Sequence, residues 1–427
     1  MIDIQLTEDQ EMVYQEFIKY IMDPDEEEFI ISGFAGTGKS TLVTKLLAEL
    51  PDLLKTIQLL SKDKDKVPFT ETLLTATTNK AADALRQITA MSVTTIHSLL
   101  GLSVRTDYKS NQSTVSDQYA KEVEDAIIFI DESSYVDQQL LKFIREYCIR
   151  CKIIYIGDPA QLAPVNCKYP PVFSSDINEA RLEKIVRQAE NNPIIELSSM
   201  LRGVVNGEVY KPFTPDGTAI LHTDRDTFNK MVISDMSDPN WHFYSSKVLA
   251  WRNKTVVKAN QMVREAVHGE PDLQAGDYAV NNKHYRTNGY KIATDQLVEV
   301  TSITPHTLTG TVDANAGITY SIDGFKVIVD NKVHAFLPGN REEVKEINKA
   351  ARKAGNYELV RKVEETWIDL RASYACTVNK SQGSTFDRVY IDLDDISACR
   401  QPNTVARMLY VAVSRARYSI VLTGDII

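Results

Sequence analysis

No stretch of this 427-residue chain is apolar for long enough to span a bilayer. Its opening residues, Met1-Ile2-Asp3-Ile4, lack the basic start of a secretion signal, so a soluble, intracellular protein is expected. Cysteine is scarce. The five present, Cys148, Cys151, Cys167, Cys376 and Cys399, suit a reducing compartment rather than a secreted scaffold. Cys148 and Cys151 have C-x-x-C spacing, but no second pair and no His-x-x-x-His accompanies them. They read as a helix end running into a strand, not as a zinc or redox site. Positive charge is also short: the formal balance of −10 argues against indiscriminate nucleic-acid binding, while leaving room for a local basic channel. No low-complexity tail and no internal repeat is evident. What the chain does have is 43% apolar residues over a length that favours roughly three domains, ample for real cores.

The chain is organised around residues 30–41, Ile-Ile-Ser-Gly-Phe-Ala-Gly-Thr-Gly-Lys-Ser-Thr. Phe29, Ile30 and Ile31 read as a buried strand, and Leu42, Val43, Leu46 and Leu47 recur at helical spacing. Between them lies Gly33-x-x-x-x-Gly38-Lys39-Ser40, a phosphate loop with both flanking elements in place. Gly33, Gly36 and Gly38 let the backbone curl so that its N–H groups converge on phosphate oxygens, with Thr37 and Thr41 completing the loop. Lys39 is expected on the β- and γ-phosphates of a nucleoside triphosphate, ATP, and the Ser40 hydroxyl on Mg²⁺. Upstream, Thr7 is a candidate cap for a helix in which Gln10 carries both a donor and an acceptor suited to an adenine edge. A surface glutamine on an amphipathic helix is the plainer reading. The loop alone does not say what the energy is used for.

Two further strands deliver polar residues to a sheet edge, the alternation expected of an α/β chain. Ile127-Ile-Phe-Ile130 runs into Asp131-Glu132, where the first carboxylate can hold Mg²⁺ with Ser40 and the second can orient or deprotonate a water. Ile153-Ile-Tyr-Ile156 runs into Gly157-Asp158-Pro159-Ala-Gln161, whose amide is placed to sense a γ-phosphate. Thr72–Lys80 is a β-branched strand ending in hydroxyls, and Thr94-Thr-Ile-His97 repeats that chemistry. Thr77, Asn79 and His97 form a fitting surface for the phosphates of a polymer, although either segment alone would be an ordinary strand-to-helix turn. Residues 101–121 suggest an inserted hairpin, and Asp107-Tyr-Lys109 within it is better read as a turn than as a nuclease fragment.

In this order, Gly33–Thr41, Asp131-Glu132 and Gly157-Asp-Pro-x-Gln161-Leu resemble the first motor lobe of superfamily 1 helicases. Leu182-Glu-Lys-Ile-Val-Arg187-Gln188 resembles their fourth motif, Tyr374–Ser384 the fifth and Leu409–Arg417 the sixth. The Thr377-Val-Asn379-Lys380-Ser381-Gln382-Gly383 form is most similar to the RecD/Dda group, small phage-encoded helicases of the Dda type included. Asn379 stands where that group usually has a histidine, an amide in place of a ring that could stack, so only the phosphate contact is carried over there.

The resemblance implies two RecA-like motor domains in tandem, with a β-hairpin inserted in the first and an SH3-like β insertion in the second. The expected bounds are 1–170 for the first motor, with 101–121 as its hairpin, 171–268 and 367–427 for the second, and 269–366 for the insertion. It further implies ATP hydrolysis coupled to 5′-to-3′ movement on single-stranded DNA and to unwinding. Arg187 and Arg415 would reach the γ-phosphate, with Gly383 beside the nucleotide. Asn253, Thr377, Asn379, Lys380 and Ser381 would meet DNA, and Tyr108 would be the strand-separating wedge. Expected partners are single-stranded, forked or partial-duplex DNA, with a single-strand-binding protein or replisome component as a further candidate. The protein would act as a cytoplasmic monomer without a membrane partner, in the host cytoplasm if phage-encoded. A protein-stripping translocase and a nucleotide-gated DNA-binding switch are the competing readings.

Overall fold

The structure is a computed structural model that describes residues 5–60, 69–107, 112–164, 167, 169–186, 192–270, 272–287, 289–313 and 316–425. It falls into two compact units. The first comprises Met1–His222, Ser381–Val389 and Ile396–Ile427, and the second Thr223–Lys380 and Tyr390–Asp395. No described helix is long and apolar enough to cross a membrane.

The first unit is built on a six-stranded sheet in the order Asn178–Leu182, Glu28–Gly33, Lys152–Gly157, Ala126–Asp131, Glu71–Ala76, Val93–Thr95. Every pairing is parallel. A parallel sheet needs cover on both faces, and the sequence supplies it through alternation along the central strand. Ile127 and Phe129 point into a core with Val13 and Phe17 of the helix Glu8–Met22, Leu42 and Leu46 of Lys39–Leu60, and Leu85 of Asn79–Thr89. Ile128 and Ile130 point the other way, onto Leu140 and Ile144 of the helix Gln138–Tyr147 and onto Ile96. Each such side chain contributes about 1.5–3 kcal/mol on burial, so the central strand is the anchor of this unit. The strands Ser103–Asp107 and Gln112–Ser116 form an antiparallel pair beside it. The helices Pro193–Val205 and Pro402–Ser414 and the strand Ala416–Thr423 complete the unit.

The second unit contains a five-stranded antiparallel sheet whose long strands, Leu297–Asp313 and Ile318–Val329, pair from Val300↔Val329 to Asp313↔Ile318. One apolar cluster, with Val298, Val327 and Leu370, lies on this sheet. A second gathers Trp367, Phe336 and Tyr320 under the helices Arg341–Lys353 and Tyr357–Thr366. In the same unit Ser246–Ala250 pairs in parallel with Ala375–Thr377, next to the helix Asn253–His268. Asn260 of that helix accepts the N–H groups of Tyr374 and Ala375, both at 3.0 Å, and donates to the Ala375 carbonyl at 3.3 Å.

Candidate active site

The first strand ends at Gly33, where its neighbour leaves no room for a side chain: a Cβ there would lie 2.8 Å from Leu182 Cβ. The chain then turns through Gly36 and Gly38, at φ 88° and 80°, left-handed backbone that glycine adopts without strain. Thr37 Oγ1 donates to the Phe34 carbonyl at 3.0 Å. Lys39 opens the following helix, and its ammonium donates to the carbonyls of Gly33 at 2.7 Å and Phe34 at 2.9 Å. Ser40 and Thr41 follow on the first turn, whose unpaired N–H groups and positive dipole end make a ready anion seat. Gln10 completes the loop from behind. Its amide nitrogen donates to the Thr37 carbonyl at 3.0 Å, while its amide oxygen accepts from Thr7 N at 3.1 Å in a capping box. The side chain is buried and both amide ends are engaged, so it braces the loop in this structure.

The acid pair stands at the end of the central strand, with Asp131 opposite Ala76. Burial, reinforced by the Glu132 charge, pushes the Asp131 carboxyl up to about 7, against the pull of the Glu132 N–H and of Lys39. Glu132 N donates to Asp131 Oδ1 at 2.8 Å, and Glu132 itself is left-handed at φ 53°. The buried strand thus ends in a tight turn that sets the two carboxylates on successive residues of different backbone conformation. Thr77 is tied to both acids: its N–H donates to the Asp131 carbonyl at 3.2 Å and its hydroxyl to the Glu132 carbonyl at 3.0 Å. Gly383, at φ 73°, lies beside the same acid, since a Cβ on it would be 3.6 Å from Glu132 Oε1.

Gln161 is buried and its amide oxygen accepts from Gln382 Nε2 at 3.0 Å, while Gln382 Oε1 accepts the Tyr135 hydroxyl. Arg415 is buried as well. Its Nε donates to the Val411 carbonyl at 3.2 Å and its Nη1 to the Ser384 carbonyl at 3.3 Å. Gly383 thus lies beside Glu132, and Arg415 is tied to the carbonyl of the next residue, Ser384. Arg187 lies outside the described residues.

Three residues of this neighbourhood had no signal of their own in the sequence reading. Arg407 donates to the carbonyls of Pro159 at 2.6 Å and Gln161 at 2.5 Å, fixing the turn after Lys152–Gly157, the third strand in the order of the sheet. Tyr410 donates to the fully buried Asp158 at 2.5 Å and accepts Ala35 N at 3.2 Å, and burial together with the Asp158 charge raises its phenol well above the usual range. Arg202 lies over the Phe34 ring. Only folding brings these segments together, so no local spacing could have announced them.

Two family models match the chain in order, an AAA domain over residues 19–166 and a UvrD-like helicase C-terminal domain over residues 372–423. The ATP-dependent RecD2 DNA helicase of Deinococcus radiodurans is 28% identical over 181 residues, which is 42% of this chain and 22% of that longer protein. The Pif1 helicase of Candida albicans superposes with a TM-score of 0.50 at 18% identity, covering 99% of this chain and 95% of that one. Together these matches support a superfamily 1 helicase of the Pif1/RecD-like kind. The fold is the α/β arrangement of a two-domain RecA-like motor, and the family matches imply nucleotide binding at its loop. The chain is also 22% identical over 489 residues to a protein of Acanthamoeba polyphaga mimivirus called Uncharacterized protein R530, covering 95% of this chain and 97% of that one.

The expected DNA contacts of the helicase fall in both units. Asn79 is exposed at the first residue of its helix, and burial lowers the pKa of His97, with Asp137 opposing. In the second unit Asn253 is exposed at the first turn of its helix and Asn379 is exposed, whereas Thr377 is buried and its hydroxyl accepts Lys380 N at 3.4 Å. Lys380 donates to Asn282 Oδ1 at 2.8 Å and to Asp295 Oδ1 at 2.6 Å. Ser381 is fully buried in the first unit. Tyr108 lies outside the described residues.

Proposed function

We propose that this chain hydrolyses ATP with Mg²⁺ to move 5′ to 3′ along single-stranded DNA and to part duplex strands, as a monomer. The observation that carries the proposal is the acid pair at the carboxyl end of the strand Ala126–Asp131, where the Lys39 charge of the phosphate loop acts on the Asp131 carboxyl and Glu132 follows on a left-handed turn. Bound ATP would supply the phosphoryl group, and Mg²⁺ would neutralise charge on its oxygens. The phosphate loop from Gly33 to Thr41 would seat the phosphates through its N–H groups and Lys39, with Ser40 and Asp131 holding the cation. Glu132 would take the proton of the attacking water, a role typically worth about 10²–10⁴ in rate. Gln161 would sense the terminal phosphate, and Arg187 and Arg415 would neutralise charge on the group being transferred.

Thr77, Asn79 and His97 in one stretch, and Asn253, Thr377, Asn379, Lys380 and Ser381 in the other, would hold the strand. The hydroxyl of Thr77 on the Glu132 carbonyl supports a link between strand contact and chemistry. The strand pair at 103–116 is read as the inserted pin with Tyr108 as wedge, and the antiparallel sheet of the second unit as the SH3-like insertion. The motor bounds stay as proposed, 1–170 for the first, with 171–268 and 367–427 for the second.

Lys39→Ala is expected to abolish DNA-stimulated ATP hydrolysis and to leave DNA binding largely intact; retained turnover would overturn the reading. Partial duplexes with a 5′ or a 3′ overhang test direction, and unwinding from the 3′ overhang alone would refute the polarity.

A further inference from the structure

Arg202 sits in the last turn of the helix Pro193–Val205 with 9% of its surface exposed. Its guanidinium carbon lies 3.6 Å from the centroid of the Phe34 ring, and its Nη2 is 3.4 Å from Asp158 Oδ1. Nε and Nη1 are buried with no hydrogen-bond partner. The seat is rigid. Asn206 N donates to the Arg202 carbonyl at 3.1 Å and Glu208 N to that of Gly203 at 2.9 Å, so the chain folds back over the helix end; a Cβ on Gly203 would lie 2.5 Å from Glu208 Oε2.

Two unpartnered N–H-bearing atoms on a buried cation are costly, and they call for a ligand. Their position indicates which. Phe34, under the guanidinium, is the second residue of the phosphate loop, and its carbonyl accepts the Lys39 ammonium at 2.9 Å. Arg202 therefore lies along the limb of the loop whose carbonyls receive the ammonium of Lys39, the cation that serves the β- and γ-phosphates in such loops. Its contacts close a circuit on that limb: Phe34 to Arg202 by stacking, Arg202 to Asp158, Asp158 to Tyr410, and Tyr410 back to Ala35. A planar guanidinium matches phosphate oxygens better than any other side chain.

We propose that Arg202 is a ligand of the terminal phosphate of the bound nucleotide, through Nε and Nη1, in addition to the arginines named by the helicase motifs. The proposal rests on the nucleotide reading of the loop. The plainer alternative makes Arg202 only the counter-charge of buried Asp158.

Binding measured with a fluorescent ADP, with and without beryllium fluoride as terminal-phosphate mimic, separates the two. In the wild type beryllium fluoride is expected to tighten binding. In Arg202→Met that gain should fall about 10- to 100-fold, the usual loss for a hydrogen bond to a charged group, with ADP affinity little changed. Arg202→Met combined with Asp158→Asn removes both charges, so it should regain thermal stability without regaining the beryllium fluoride effect. Recovery of both would overturn the proposal in favour of the counter-charge role. Should the methionine variant fail to fold, Arg202→Lys keeps the charge beside Asp158 but not the fork, and an undiminished beryllium fluoride effect in it would equally overturn the proposal. A wild type that binds neither nucleotide would defeat the nucleotide reading itself, a different failure.

Discussion

Lys380 Nζ lies 2.6 Å from Asp295 Oδ1, with both side chains about one-third exposed. Asp295 is left-handed at φ 63°, a conformation rare for residues other than glycine, in a turn where its own N–H donates to the Asn281 carbonyl at 2.7 Å. A carboxylate held this way occupies the ammonium that the proposed function assigns to a DNA phosphate. Exposed ion pairs add about 0–1 kcal/mol to stability, so the pair matters more for binding than for folding. Asp295→Asn should strengthen single-stranded DNA binding at low salt, steepening the log–log salt dependence by about 0.7 for the phosphate gained. Unchanged affinity and slope, read by fluorescence anisotropy across a salt series, would remove Lys380 from the DNA contacts.

Glu132 and Asp131 are predicted to divide their labour. Glu132→Gln keeps the size of the side chain and the backbone bond to Asp131, so nucleotide affinity should persist while steady-state turnover drops by about 10²–10⁴. Equal losses in affinity and turnover would make Glu132 a binding residue instead.

Gly38 offers a steric test of the loop. A Cβ there would lie 2.5 Å from Gln10 Nε2, on backbone at φ 80°. Gly38→Ala should raise the nucleotide dissociation constant, the left-handed backbone alone costing about 1–3 kcal/mol. Adding Gln10→Ala removes the clash but not the backbone strain, so nucleotide titration should show partial recovery. Full recovery would mean the conformation carries no strain, and none would mean Gln10 is not the obstacle.

Asp395 gives a stability prediction with a pH signature. Burial by itself would raise its carboxyl, but bonds from Thr255 Oγ1, Arg252 and the Trp251 N–H hold it below the ordinary carboxylate value. A depressed folded-state value means that the stabilisation is complete above the unfolded value and is lost as pH falls through the folded one. Asp395→Asn should therefore cost about 1.5–3 kcal/mol at neutral pH. In urea denaturation the gap to wild type should close below about pH 4. A gap that persists in acid would mean geometry, not charge, makes the contact.

The parts of the site that could be read in the sequence are those whose chemistry is local. Gly33 to Thr41, Asp131-Glu132 and the turn at Gly157–Gln161 each follow an apolar run, and a run with no polar alternation is what a strand covered on both faces must have. Thr7 announces its helix because a cap acts on residues only three positions away. Arg202, Arg407 and Tyr410 could not be read as partners of the loop or of the turn after the third strand. Their role comes from the packing of the helices Pro193–Val205 and Pro402–Ser414 within the first unit, and an arginine or tyrosine in an apolar helix looks the same whatever it meets. Gln161 shows the intermediate case. Its place at a sheet edge is local information, but its bond to Gln382 is made only by the fold.

The amide of Asn260 has one more effect. By taking two N–H groups and one carbonyl of the segment Tyr374–Ala375, it stands in for a further strand on the side away from Ser246–Ala250. Backbone satisfied by a side chain offers no template for a second copy to extend. The buried N–H groups of Tyr374 and Ala375 thus rely on a single asparagine for their acceptor, and a leucine there would strand them in an apolar setting.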